Sequence, residues 1–328
     1  AAQVAIGLIG AGDFAKSVLL PALKATPGVR LATVCTATGL SAGYVARKFK
    51  FGSSTTDSRT IFDDAEIDAV LIATRHGSHG SLAIDALRAG KHVFVEKPLA
   101  LDESTLSDVV RTVNDHHQQT LTVGYNRRFA PMARRLKDFV AGVDGPLVMH
   151  YRVNAGALPS NHWVRDPEEG GGRIVGEVCH FVDFLTFLSG SLPVRVHAVA
   201  APNAAGFRDD NVVITLDFAD GSLGTITYVA DGDSAFPKER VELFGGGKVG
   251  IIDDFRRLEL VGDGRKKVYR SRLRQNKGHR EGLRAFIAAV RDGGPPPIPL
   301  EDMVAASLTT FRILESLASA ASPEVGAE

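Results

Sequence analysis

Val4-Ala5-Ile6-Gly7-Leu8-Ile9-Gly10-Ala11-Gly12-Asp13-Phe14-Ala15 is an apolar strand pattern that runs straight into glycines. The spacing Gly10-x-Gly12-x-x-Ala15 is that of a dinucleotide-binding turn. The first glycine permits a tight turn, the second lets backbone approach a pyrophosphate, and the small third residue lets helix pack on strand. Such spacing alone is weak evidence, but here the alternation continues. Strands are expected at residues 4–9, 30–35, 69–73, 92–95 and 120–123, and helices at 14–25, 41–49, 81–89 and 102–116. This rhythm is a doubly wound parallel sheet, with ligands at the carboxyl ends of the strands and phosphate on the first helix N-terminus. Gly10, Gly12, Asp13, Phe14 and Ala15 are thus placed at the cofactor.

An NAD site of this type presents an acid about 20 residues after the turn, for the ribose hydroxyls. No Asp or Glu occurs between Asp13 and Asp57. Thr36 and Thr38 stand where the acid would be, and Ser41, Arg47 and Lys48 follow, so a 2′-phosphate is not repelled and the cofactor is read as NAD(P).

After Gly124 the texture changes to longer alternating strands, at 194–200, 211–218, 222–229 and 240–244. Helices are expected at 174–188, 279–291 and 300–320, and Pro295-Pro296-Pro297 forms a stiff connector before the last of them. This predicts an α+β second domain over residues 125–328 with a largely antiparallel open sheet. The basic stretch Lys266 to Lys277 reads as a solvated strand face.

With 328 residues, 44% hydrophobic, the chain is long enough for two domains with cores. Lys+Arg 38 against Asp+Glu 38 leaves no net charge, which favours neither nucleic acid nor an anionic membrane as a partner. Cys35 and Cys179 suit a reduced cytoplasmic protein rather than a disulfide scaffold. No segment is long enough to span a bilayer, and no His/Cys pair has metal-ligand spacing. The first strand begins almost at residue 1, which is compatible with an excised domain.

Val93-Phe94-Val95-Glu96-Lys97-Pro98-Leu99 puts a charged pair directly after an apolar strand, at the ligand edge. Lys97 is either a solvated lysine or an amine stiffened by Pro98, oriented by Glu96 and desolvated enough to exchange protons. Thr74-Arg75-His76-Gly77-Ser78-His79 follows another strand at the same edge. His76 and His79 there either line the site or touch solvent.

Gly7-x-x-Gly10-x-Gly12, Ala89-Gly90-Lys91-His92-Val93, Glu96-Lys97-Pro98-Leu99-Ala100 and Gly124-Tyr125-Asn126-Arg127-Arg128-Phe129 together resemble the glucose-fructose oxidoreductase / inositol dehydrogenase (Gfo/Idh/MocA) family. The likeness runs on through Gly170-Gly171-Gly172, Cys179-His180-Phe181-Val182-Asp183 and Glu281-Gly282-Leu283-Arg284-Ala285-Phe286. It implies a Rossmann domain over 1–124, followed by a substrate and oligomerisation domain whose open sheet forms a homodimer or homotetramer face. The implied activity is NAD(P)-dependent oxidation or reduction of a sugar, sugar derivative or cyclitol. Lys97 would contact the reacting hydroxyl, Pro98 would shape the nicotinamide pocket, and His180 would be the other proton-handling group. Thr74, Arg75, His76, His79, Glu96 and Asn126 join the cofactor set. The segment from Asn154 through His162-Trp163 to Cys179-His180 also resembles a subgroup fused behind a zinc-type alcohol dehydrogenase-like portion.

Two positions depart from the family pattern. Arg75 stands where proline is common. Gly176 stands four residues before His180, where many members carry Asp, with Glu177 beside it. On a regular helix Gly176 lies roughly 40° from His180 and Glu177 roughly 60° to the other side, so Glu177 still shares the face as a catalytic candidate. Ile174, Val178, Phe181, Val182, Leu185 and Leu188 form the expected buried stripe. Arg127 either binds substrate oxygens or, with Arg128, pins the domain junction; Asn154, His162 and Trp163 are candidate substrate contacts. The missing Asp also admits a non-catalytic dinucleotide sensor or partner-binding subunit. A third option is transient sugar oxidation that assists cleavage of a glycosidic bond. Fluorescence titration with NADH and NADPH should give comparable affinities; a strong preference for NADH refutes the reading of Thr36 and Thr38.

Overall fold

The computed structural model describes residues 3–201, 209–271 and 275–319. β1 (Val4–Ile9) is buried along its whole length, as its unbroken apolar sequence requires of a central parallel strand. A π-helical turn (Ala15–Leu19) continues into α1 (Leu20–Lys24). Then come β2 (Val29–Cys35), α2 (Gly39–Phe49), β3 (Ser53–Thr55), α3 (Arg59–Phe62), β4 (Ala69–Ile72), α4 (His79–Arg88), β5 (His92–Val95), α5 (Glu103–Asp115) and β6 (Leu121–Val123). α2 and α5 start where Thr38 and Asp102 accept hydrogen bonds from Ser41 N and Thr105 N, at 3.3 and 2.8 Å. The strands form a six-stranded parallel sheet in the order β3-β2-β1-β4-β5-β6. Strand order reverses between β1 and β4, which opens a crevice at their carboxyl ends.

A 3₁₀ turn (Asn126–Phe129) leads into α6 (Pro131–Val140), β7 (Val148–Asn154) and a further 3₁₀ turn (Trp163–Arg165). A second π-helical turn (Ile174–Val178) runs into α7 (Cys179–Ser189), followed by β8 (Pro193–Ala201), β9 (Asn211–Phe218), β10 (Leu223–Val229) and β11 (Glu239–Gly245). β12 (Lys248–Asp253), β13 (Arg257–Gly262), β14 (Arg265–Arg270), α8 (His279–Asp292) and α9 (Leu300–Ser319) complete the described chain. The second sheet has the order β14-β13-β12-β11-β7-β10-β9-β8 and is antiparallel except for the β7–β10 pair. Tyr151, Ile214, Ile226 and Val241 point to its inner face, where the Tyr151 ring meets Phe181 of α7 at 4.8 Å. Val148, Val213, Leu223 and Phe244 alternate outward and are exposed.

Two expectations change. The 174–188 helix is not a regular α-helix with one apolar stripe: its first turn is π, which displaces Gly176 and Glu177 from their α-helical angles, and α7 is buried on nearly every side. Of the basic stretch, β14 is exposed as predicted, but Lys277 is mostly buried against Glu239, and residues 272–274 lie outside the described residues. The last predicted helix is described to Ser319, so Ala320 also falls outside. In addition, α8 returns to the first sheet. Leu283, Phe286 and Ile287 enter the core beside Ile6, Leu8, Leu71 and Phe94, with the Phe94 and Phe286 rings 5.7 Å apart.

Arg127 and Arg128, buried just after β6, anchor the segment that leaves the first sheet to the second domain. Arg127 donates to Glu239 through Nε and Nη2 at 2.7 and 2.9 Å. Arg128 donates to Asp183 of α7 at 3.1 and 2.6 Å and to Asp302 of α9 at 2.9 Å. Asp183 is fully buried, so removing its cation leaves a carboxylate without compensation. Arg128→Ala should cost about 3–5 kcal/mol, read as a lowered urea midpoint at unchanged slope.

Candidate active site

Gly10 adopts φ +87°, and a Cβ there would lie 2.5 Å from the Ala73 carbonyl oxygen, so only glycine lets the turn pass the end of β4. A Cβ on Gly12 would meet nothing within 4 Å, which leaves backbone facing open space where a pyrophosphate would approach. Ala15 is buried under the turn, Asp13 pairs with Lys16 at 2.9 Å, and Phe14 rests on the His279 ring at 5.6 Å. This cradle fits a dinucleotide. The threonines after β2 are partly committed elsewhere: Thr36 Oγ1 donates to Thr38 O at 2.9 Å, and Thr38 caps α2. Arg47 and Lys48 lie in the last turn of α2, with Lys48 Nζ on Tyr44 Oη at 3.3 Å, far from the turn.

At the ends of β4 and β5 the two ligand-edge loops are tied together. His79, fully buried, has Nδ1 2.8 Å from Pro98 O, and Thr74 shares a 2.7 Å hydroxyl contact with Ser78. The Lys97–Pro98 bond is cis. Lys97 Nζ then crosses to the second domain and donates to Gly176 O at 2.6 Å. Glu96 faces the crevice rather than bulk water; burial pushes its carboxyl up to about 7, against the pull of the Lys97 cation. A Cβ on Gly124 would strike this carboxylate at 2.8 Å, so glycine after β6 makes room for it.

These groups line a cavity of about 480 Å³ between the domains, together with Asn126, Arg127, Trp163, Glu177 and His180. His180 is buried with its Nδ1 unpartnered among the described residues. Burial, then the Arg127 and Lys97 charges, hold its ring neutral. Glu177 is 3.7 Å from Arg173 Nη2 and keeps part of its side chain open. Asn126 Nδ2 donates to Lys277 O at 2.7 Å. A larger cavity of about 1010 Å³ lies between β8 and α9, away from every group above.

Several candidates are placed differently from expectation. Asn154 lies off this cavity and instead donates to Asp233 O at 2.7 Å, pinning the turn before β11. His162 is also off it and accepts from Val164 N at 3.3 Å, so neither lines the space between the domains. Arg127 reaches the cavity wall but spends two donors on Glu239. Arg75 is exposed, pairs with Glu169 and lies over Trp163 at 5.8 Å. Sequence reasoning missed Lys238, Lys277 and His279, all on the wall. Burial lowers the Lys238 ammonium, opposed by Glu177 and Glu239; burial with Arg127 and Lys277 takes His279 down to about 4. Lys277-Gly278-His279 did carry a signal, a glycine before a helix: Gly278 sits at φ +87°, where a Cβ would be 2.3 Å from Asn126 O.

A glycine cradle, a lysine bridging to the facing wall and a neutral histidine define a dinucleotide-dependent oxidoreductase. The chain belongs to the Gfo/Idh/MocA oxidoreductases: residues 4–125 match the oxidoreductase family with NAD-binding Rossmann fold, and residues 145–247 the GFO/IDH/MocA C-terminal domain. It is 30% identical over 302 residues to the inositol 2-dehydrogenase of Rhizobium meliloti (strain 1021), covering 88% of this chain and 89% of that one. To the 1,5-anhydro-D-fructose reductase of Ensifer adhaerens it is 28% identical over 343 residues, covering 97% and 98%. A levoglucosan dehydrogenase solved with NADH and levoglucosan shares the fold, at TM-score 0.83, 23% identity and 97% and 98% coverage. Among the described residues no helix is long and apolar enough to cross a membrane.

The raised Glu96 carboxyl has a stability consequence. Between its ordinary 4.5 and about 7 the native state holds a proton that the unfolded chain has released, so stability falls as pH rises through that window. Glu96→Gln should flatten urea midpoints between those pH values, by up to about 3 kcal/mol.

Proposed function

We propose that the protein oxidises a secondary alcohol, or reduces the matching ketone, of a sugar, sugar derivative or cyclitol. The observation that carries this reading is Lys97 Nζ, which spans from the cofactor sheet to Gly176 O inside the interdomain cavity. The relatives' named substrates, inositol and an anhydro sugar, support the class. The dinucleotide, held by Gly10, Gly12 and Ala15, supplies the hydride acceptor or donor when bound. Lys97 holds the substrate oxygen and moves its proton at Nζ. His180, neutral, takes or returns a proton through its ring, and Glu177 accepts from a further hydroxyl. Trp163 offers a flat face to the sugar ring, while Lys238 keeps that end of the cavity positive.

The two buried, unpaired cysteines support a reduced, cytoplasmic setting. The exposed apolar residues of the outer sheet face support a homodimer or homotetramer built there. The likeness of residues 154–180 to the fused subgroup supports a place behind a zinc-type alcohol dehydrogenase-like portion.

Lys97→Ala should keep NADH binding, read by fluorescence, and lose about 10²- to 10⁴-fold in turnover on a polyol panel. An unchanged rate removes Lys97 from the mechanism. A wild-type protein that binds NADH and turns over no polyol is a sensor instead.

A further inference from the structure

Position 176 is crowded from outside. A Cβ built on Gly176 would lie 2.9 Å from His76 Cε1 and 3.3 Å from its Nδ1, so the imidazole of a first-domain loop fills the space where a residue-176 side chain would begin. That ring is held on several sides. Nδ1 lies 2.8 Å from Gly170 O, and the ring packs edge-on against Trp163 at 4.7 Å. The neighbouring residues of the same loop grip the same strap of the second domain: Gly77 N donates to Glu169 O at 3.1 Å, and Arg75 pairs with Glu169.

A carbonyl oxygen only accepts, so Nδ1 carries the proton. Burial and the Lys97 charge bring the ring down to about 3, so it is neutral at working pH and Nε2 holds a lone pair. No described group hydrogen-bonds to Nε2, although the residue is only 8% exposed and lines the cavity. Lys97 meets the same residue 176 at its carbonyl, 2.6 Å away. Lys97 and His76 therefore both abut residue 176, one at its carbonyl oxygen and the other where its side chain would begin.

We propose that His76 is a specificity-determining residue: it takes the volume of a position-176 side chain and accepts, through Nε2, a hydrogen bond from the substrate hydroxyl neighbouring the one Lys97 contacts. The proposal rests on the reading of the cavity as a polyol site. It requires substrates with two adjacent hydroxyls, and Gly176 then follows from the presence of His76 rather than marking a lost centre.

The test uses His76→Phe, which keeps an aromatic ring against Trp163 and removes the acceptor. With the best polyol and its single deoxy analogues, the wild type should reject one analogue by about tenfold or more in kcat/KM. In His76→Phe that discrimination should vanish through a loss on the parent polyol alone, with the NADH dissociation constant unchanged. In parallel, Gly176→Ala should lower Tm in the wild type and be tolerated in a His76→Ala background, a double-mutant coupling that folding alone reports. Undiminished discrimination in an active His76→Phe overturns the proposal. So does Gly176→Ala tolerated equally in both backgrounds, and so does a weakened NADH affinity in His76→Phe, which would make the ring a cofactor contact. Cofactor binding without turnover of any polyol by the wild type overturns the polyol reading, and the proposal with it.

Discussion

One buried carboxylate sets the geometry of the molecule. Glu239, 1% exposed on β11, accepts from Arg127 after β6, from Tyr151 Oη of β7 at 2.5 Å and from Lys277 Nζ before α8 at 2.5 Å. Burial alone would raise its pKa; Arg127 and Lys277 reverse this and hold it far below the usual carboxylate range. Charged hydrogen bonds of this kind are short and directional, and a buried charge left without them is costly. The cluster therefore anchors to the second sheet the two segments that lead out of the first sheet after β6 and back to it before α8, and the cavity lies beside that junction. Arg127 reaches the cavity wall because it belongs to this clamp, which explains why a residue placed among substrate contacts is also a structural one.

The wall itself is divided electrostatically. Lys97, Arg127, Lys238 and Lys277 supply positive charge, while four histidines, His76, His79, His180 and His279, are all driven below their ordinary range, first by burial. Cations and neutral imidazoles side by side give a surface that donates and accepts hydrogen bonds without a surplus of fixed negative charge. That suits neutral polyhydroxylated ligands and the anionic phosphates of a dinucleotide.

The parallel sheet was legible because its strands are continuous apolar runs and its turn needs glycine at position 10. Short polar elements such as β3 carry no period and went unread. β12 to β14 did carry a signal, in Gly246-Gly247 and Asp263-Gly264, two-residue turns with positive φ at both positions that mark hairpins. α6 starts with proline, which also marks a helix start. In the site, Lys97 and His180 could be read from local motifs. Lys238 and the packing of His76 on Gly176 could not, because each depends on segments about a hundred residues apart meeting across the crevice. The π-helical turn escaped too: Ile174-Val175-Gly176-Glu177-Val178, with three β-branched residues and a glycine, weakens a helix without naming the turn that results.

The return of α8 to the first sheet bears on how the chain is made. During synthesis the six strands of the cofactor sheet emerge long before Leu283, Phe286 and Ile287, which cover Leu8, Leu71 and Phe94. A nascent chain therefore carries a finished glycine turn on a half-covered sheet, an apolar face of the kind that recruits chaperones or aggregates. Phe14 likewise lacks its His279 neighbour until that point. The side of the cavity wall that Phe14 and His279 share is therefore completed only when α8 docks.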